Sequence, residues 1–444
     1  MVATQTKAAG RQSNSMSGIM SSELIPMRWP SQWRDSSALQ RISKTPINCL
    51  LIENPDSLRS VVEQAQKNGI RVVHAMSELP GILVINGVWP GAKLTQTSSS
   101  SHKDSASSGP TGLPWVESNG WAIRLVSALN PKSTIWVDVT PKDPPESYRL
   151  CVADVAAFGG TWIISLDNQL AAGIERGDGE SMATWKGLIE SVEFFATHNY
   201  RTDYVGAAVV GVLSSYSGDN QTLSWEVLKL LTRTTEQYRV IPSGSFSANS
   251  LSGIQAVLCP DSDPPGGGVR KDLLDFVQNG GLLITRSAWR GMPGIPANWD
   301  NPRYEGHVLG KGTIAVAKSK DAADAYLIAN DTVALVSHRF DLLRFWDAGS
   351  LNAYLSKAPD GKRAVAQMVF YAWEMNGATA AHGPENATVR VAGRYRTAQL
   401  LTFDKPPLAL GQPDDHGIGM VVYDDSVELH LPPLSHYGAV ELDV

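Results

Sequence analysis

Cysteine is scarce: Cys49, Cys151 and Cys259 are the only three in 444 residues, far apart and without a CxxC pair. That spacing excludes a disulfide framework and a cysteine-rich zinc site, and it leaves the redox compartment open. An excess of positive charge is missing too. Lys and Arg number 38 against 44 Asp and Glu, a formal charge of -6, so the chain has no basic footprint for phosphate backbones and no nucleic-acid partner is expected. Long apolar runs are also lacking. The longest candidate, Val205 to Leu213, is interrupted by glycine and far shorter than the roughly 18 residues that span a bilayer, so it reads as a buried strand and no membrane partner is expected. Residues 1–22 are small and polar with no apolar core of a secretory leader; they read as a disordered tail, with a cytoplasmic location as the default.

What is present is enough apolar material, 43% of residues, to build more than one core. At 444 residues the chain exceeds the usual domain of about 100–200 residues, which predicts two or three domains. From Pro46 onward short apolar strands alternate with helical stretches. Six strands are predicted, at Ile47–Glu53, Ile70–Met76, Gly81–Gly87, Leu113–Asn119, Thr134–Thr140 and Thr161–Asp167, with helices over Ser57–Gly69, Gly120–Leu129 and Glu146–Phe158. Strands followed by helices on this period imply a parallel sheet with helices outside it, a (β/α) barrel-like domain over residues 23–203. The Ser-rich, low-complexity run at 95–112 cannot bury anything and is expected to be a surface insertion within that domain.

A second α/β unit, an open parallel sheet, is expected over 204–384. It starts with the glycine-rich strand near Val205 and continues through LSWEVLKLLTRTTEQY, YRVIPSG, GIQAVLCP, VRKDLLDFVQNGG and LLITRSAW. From about Thr388 the period becomes two, with Val389, Val391, Val427, Leu429 and Leu431 alternating between Gly, Pro and Asp turns, so 385–444 reads as a small antiparallel β-sandwich.

The order barrel, open α/β domain, β-sandwich resembles multidomain glycoside hydrolases. In particular AVLCPDSDPP followed by VRKDLLDFVQNGGLLIT resembles the amidotransferase-like domain that follows the barrel in certain β-galactosidases. The resemblance covers roughly residues 113–315. It implies a modified or incomplete TIM-type barrel, a flavodoxin/amidotransferase-like middle domain that could hold a homo-oligomer together, and a carbohydrate substrate or ligand. The departures are that a complete barrel takes about 250 residues, and that the Asn-Glu pair ending the fourth strand of many retaining glycosidases has no counterpart here. The competing expectation is a non-catalytic carbohydrate-binding or assembly protein that keeps this architecture.

Glycoside hydrolysis needs two carboxyl groups at one sugar, one to protonate the leaving oxygen and one to attack or to activate water. Acidic residues recur at the predicted strand ends, and Glu117, Asp138 and Asp167 are the expected catalytic set, with Glu53 and Glu78 next. Asp167 equally fits the N-cap of the stretch after it, and Asp138 a cap of the turn before Pro141. Trp115, Asn119 and Trp121, around a polar turn, are the expected sugar-binding residues; Trp136 and Trp162 sit among apolar strand residues and are expected in the core. Cys259 lacks the glycines of a nucleophile elbow and reads as an inert buried thiol. The nine histidines show no HExxH or paired spacing, and Asp261 with Asp263 precedes two prolines and reads as a turn, so neither metal nor cofactor is expected.

Overall fold

The structure is a computed structural model describing residues 23–75, 78–93, 115–142, 147–200, 203–286, 289, 292–318, 323–371, 373–375, 378–380 and 386–444, with the side chains of 93, 115, 373–375 and 378–380 outside the description. The expected tail and the Ser-rich insertion lie outside these residues.

Six short parallel strands form the first domain. In space they run Arg71–Val73, Cys49–Leu51, Pro26–Arg28, Thr161–Trp162, Thr134–Asp138 and Ile82–Asn86. The middle join is a parallel bridge between Met27 and Ile164, where Arg28 N donates to Ile164 O at 2.8 Å and Ile164 N donates to Pro26 O at 2.9 Å. Numbered along the chain the order is 3-2-1-6-5-4, which is the cyclic order of a barrel cut between its third and fourth strands. Among the described residues no ladder closes that cut. The strands beginning near Cys49, Thr134 and Thr161 are thus parallel members of one arc. A six-stranded arc is what the shortfall against a full eight-stranded barrel requires.

Membership of the arc differs from expectation at two places. Pro26–Arg28 belongs to it, although its three residues are too few to show a period. Trp115–Glu117 does not: it pairs antiparallel with Gly91–Lys93 in a separate ribbon. Alternation along the strands separates two packed layers. Cys49, Leu51, Val73, Trp136 and Ile163 fill the inside of the arc, while Leu50, Ile52, Val137 and Ile164 pack outward with the helices Arg59–Lys67, Gly120–Leu129, Ser147–Ala156, Asn168–Arg176 and Gly179–Thr197. Trp136, fully buried, and Trp162, 4% exposed, lie in the core.

The second domain is a seven-stranded sheet ordered Tyr238–Pro242, Val210–Ser214, Ala256–Cys259, Leu282–Thr285, Gly312–Ala317, Tyr304–Leu309 and Ile295–Ala297. The first five are parallel and the last two antiparallel. The helices Gln221–Arg233, Gly267–Gln278 and Ala325–Val336 cover it.

The β-sandwich begins earlier than residue 385. One sheet holds Leu343–Trp346, Ala387–Ala392, Ser426–Leu431 and Gly419–Val422; the other holds Leu408–Ala409, Thr397–Leu401, Tyr437–Asp443, Arg363–Phe370, Leu351–Lys357 and Val205–Gly206. The physical reason is double burial. Leu355, Ala366 and Met368 face the sandwich core, whereas Val365, Val369, Tyr437 and Ala439 join the cluster around the barrel helices, so Arg363–Phe370 is apolar on both faces and shows no alternation. The sandwich thereby braces the barrel directly. Among the described residues no helix is long and apolar enough to cross a membrane.

Candidate active site at the barrel mouth

Side chains leaving the C-terminal ends of parallel barrel strands share one face, and three charged residues meet there. Arg28 ends the first strand, Glu53 follows Cys49–Leu51 by two residues, and Asp138 ends Thr134–Asp138. The Arg28 guanidinium donates through one terminal nitrogen to Glu53 Oε1 and through the other to Asp138 Oδ2 at 2.7 Å. A planar guanidinium offers its donors in a fixed fork, so it sets two carboxylates side by side about one guanidinium width apart. Glu53 is 75% exposed and Asp138 only 32%, so one carboxylate is free to swing and the other is held.

The remaining expected residues are committed elsewhere. Asp167 is the N-cap of Asn168–Arg176, accepting from Gln169 N at 2.7 Å and Leu170 N at 2.9 Å, and its other oxygen accepts from Tyr148 Oη at 2.7 Å. Glu117 points toward the middle domain, with Lys229 Nζ 4.0 Å away. Trp121 packs against Trp225 of that domain with ring centroids 6.0 Å apart. Asn119 is buried: its Oδ1 accepts from Val88 N at 2.8 Å, and its Nδ2 donates to Val88 O at 2.9 Å and to Asp154 Oδ2 at 2.7 Å. Trp115 opens its strand, and its side chain lies outside the described ones. Glu78 Oε1 accepts from His74 N and Ala75 N, closing a turn. The structure therefore brings Asp138 together with Glu53 and Arg28, and ties Glu117, Asp167 and Asn119 to separate partners.

Sequence reasoning missed Arg28, because the three residues of Pro26–Arg28 are too few to announce a strand. It also missed the aromatic group of Trp89, Tyr148 and Trp162 behind Asp167. Trp89 lies 5.1 Å from Tyr148 and 6.2 Å from Trp162 between ring centroids. Burial pushes the Tyr148 hydroxyl far above its ordinary pKa, so it stays a neutral donor to Asp167.

The middle domain offers less chemistry. Cys259 is 5% exposed, and burial raises its thiol pKa strongly, which suppresses the thiolate. At the switch point beside it, where doubly wound sheets bind ligands, the protein's own Asp261 fills the turn, accepting from Ser214 Oγ and from Ser215 N at 2.9 Å. Among the described residues no cluster of His, Cys, Asp and Glu is arranged to hold a metal ion. A cavity of about 880 Å3 lies at the opposite end of the barrel, beside Leu24, Thr134, Thr161, Tyr200 and Tyr354. It adjoins strand starts, where barrel folds place stability and not catalysis.

No family model matches the chain, and no curated protein matches it in sequence. In fold it is similar to α-L-fucosidase isoenzyme 2 from Paenibacillus thiaminolyticus, with a TM-score of 0.52 and 12% identity over 92% of this chain and 79% of that one. A β-galactosidase from Bacillus circulans sp. alkalophilus follows at a TM-score of 0.48 and 11% identity, over 87% of this chain and 66% of that one. A catalytic mutant of a GH42 β-galactosidase from G. stearothermophilus gives 0.47 and 12%, over 88% and 68%. At this identity the likeness to the fucosidase is one of fold alone.

Proposed function

We propose that the protein is a glycoside hydrolase whose site is the barrel mouth, with Glu53 and Asp138 as its two carboxyl groups. The observation that carries this reading is the shared guanidinium of Arg28, which pairs carboxylates from two strands on the C-terminal face. Exposed Glu53 takes the part of the acid: once a bound sugar draws it from Arg28, it takes up a proton from solvent and passes that proton to the leaving oxygen. Asp138, held on its other side, attacks the anomeric carbon or activates water. The middle domain is read as amidotransferase-like: its parallel order supports that, and with no usable nucleophile at Cys259 its part is structural, including any homo-oligomer contact. Purified protein screened on chromogenic glycosides and natural oligosaccharides tests the proposal, with Glu53→Gln and Asp138→Asn as inactive controls. The second reading, a non-catalytic carbohydrate-binding protein, is favoured by one observation: Arg28 already satisfies both carboxylates. Sugar binding without turnover, unchanged by either amide variant, would select it.

A further inference from the structure

A cleft of about 550 Å3 separates the end of the middle-domain helix Gln221–Arg233 from the sandwich strand Leu343–Trp346. Backbone strain concentrates on it. Of the four non-glycine residues with positive φ among the described residues, Thr235 (+59°) and Asp347 (+54°) line the cleft and Ser337 (+74°) precedes its His338. A β-branched residue in that region is a genuine outlier, and such conformations persist only where surrounding contacts over-determine them. Here Gln237 supplies the contacts, donating from Nε2 to Thr235 O at 2.6 Å and to Ala353 O at 3.2 Å, and accepting from Leu355 N at 2.9 Å. It pins the strained turn to the sandwich, so the cleft is shaped in advance.

The lining is of mixed charge. Arg233 and Glu236 are 5% and 7% exposed, buried ionisable groups in the wall of an otherwise open site. Asp341 holds His338 Nδ1 at 2.8 Å. At the rim Arg344 lies 5.1 Å from the ring centroid of Trp346, which is 38% exposed. An anion such as phosphate would meet Asp341 and Asp347, and a metal cation would meet Arg233 and Arg344. A neutral ring carrying many hydroxyls meets neither penalty, because each hydroxyl both donates and accepts, and its C–H face suits an indole.

We propose that this cleft is a second saccharide-binding site, separate from the barrel mouth, in which Trp346 stacks on a sugar ring while Glu236, Asp341 and Arg344 bond its hydroxyls. Burial, with repulsion from Asp341 second, lifts the Glu236 carboxyl to about 7, so near neutral pH it both donates and accepts. The proposal does not depend on turnover at the mouth.

The test is calorimetric titration of the full chain with cellobiose, maltose, lactose and N-acetylglucosamine at millimolar concentration, with inorganic phosphate and calcium as further probes. The protein carries Glu53→Gln and Asp138→Asn together, so that the mouth cannot turn substrate over. At least one sugar is expected to bind this variant, and adding Trp346→Ala should weaken it by ~10-fold or more, the effect of losing a stacked aromatic anchor. Glu236→Gln, which keeps the shape, should weaken it as well. Trp346 is exposed, so its loss leaves folding intact, which circular dichroism checks. Three outcomes overturn the site: no sugar binds, binding is indifferent to both cleft variants, or phosphate or calcium binds in the cleft in place of sugar. If sugar binds here and no glycoside is cleaved by the wild type, the mouth proposal fails and this one stands.

Discussion

Tyr371, just past a sandwich strand, donates its hydroxyl to Asp154 of the barrel helix Ser147–Ala156 at 2.6 Å, joining residues 217 positions apart. Asp154 is fully buried, and its other partners are neutral too: Asn119 N at 2.9 Å and Asn119 Nδ2 at 2.7 Å. Burial lifts its carboxyl from 3.8 to about 6, against the lowering effect of these hydrogen bonds. Because the folded value lies above the unfolded one, the folded state binds the proton more tightly. This group's contribution to stability is complete below about pH 4 and is lost as pH rises through about 6, roughly 3 kcal/mol in all.

The measurable consequence is a difference between two profiles. Urea midpoints taken from pH 4 to 8 should show the wild type losing stability relative to Asp154→Asn as pH rises through about 6. Parallel profiles would mean that Asp154 does not titrate there.

Much of the fold was legible, for identifiable reasons. Gly120–Leu129 and the strand at Thr134 announce themselves by period and β-branched content, and the arc then follows from parallel connection rules. Arg363–Phe370 was not legible because it is buried on both faces and has no period to read. The placement of the candidate residues was legible in part. Asp138 reads as the end of a strand of the arc and lies there, whereas Glu117 reads the same way yet lies on an antiparallel ribbon, since a three-residue strand gives no sign of whether its partner is parallel or antiparallel. Arg28 ends a strand too short to recognise. The Asp154 network could not be read at all, because a carboxyl group inside an apolar helix finds its partners only through tertiary contacts.

Under the proposed function, Asp138→Asn and Glu53→Gln should each lower kcat by ~100-fold or more, the smaller contributions of one positioned proton-transfer group. Glu117→Gln, with Lys229 Nζ of the middle domain 4.0 Å away, should leave kcat within a few-fold. Steady-state assays on the glycoside found by screening decide between the pairs: turnover lost with Glu117 and kept with Asp138 would move the site to the domain boundary.

Asp167 separates capping from catalysis. Asn caps a helix about as well as Asp, whereas Ala leaves Gln169 N and Leu170 N unsatisfied and costs about 1 kcal/mol. Asp167→Ala should therefore shift the urea midpoint while Asp167→Asn shifts it little, and the Asn variant should turn over near the wild-type rate. Loss of activity in a fully stable Asp167→Asn protein would return this residue to the catalytic set.

Gly87 tests whether the mouth and the buried network are mechanically linked. A Cβ there would stand 2.5 Å from Val137 Cγ1, 2.7 Å from Val139 Cγ2 and 2.7 Å from Asn119 Oδ1. The two valines lie on or beside the Asp138 strand, and Asn119 cannot step aside without releasing Val88 and Asp154. Gly87→Ala should cost at least the ~1–3 kcal/mol of an overpacked core. It should also couple to the neighbouring carboxyl: once Asn119 is displaced, Asp154 loses donors that stabilise its charge, so the pH difference described above should widen. Urea unfolding of the two single variants and the double variant measures that coupling, which is expected to exceed the ~0.5 kcal/mol at which distant sites add. Strict additivity would show that the strand carrying Asp138 is packed independently of the Asn119–Asp154 bond.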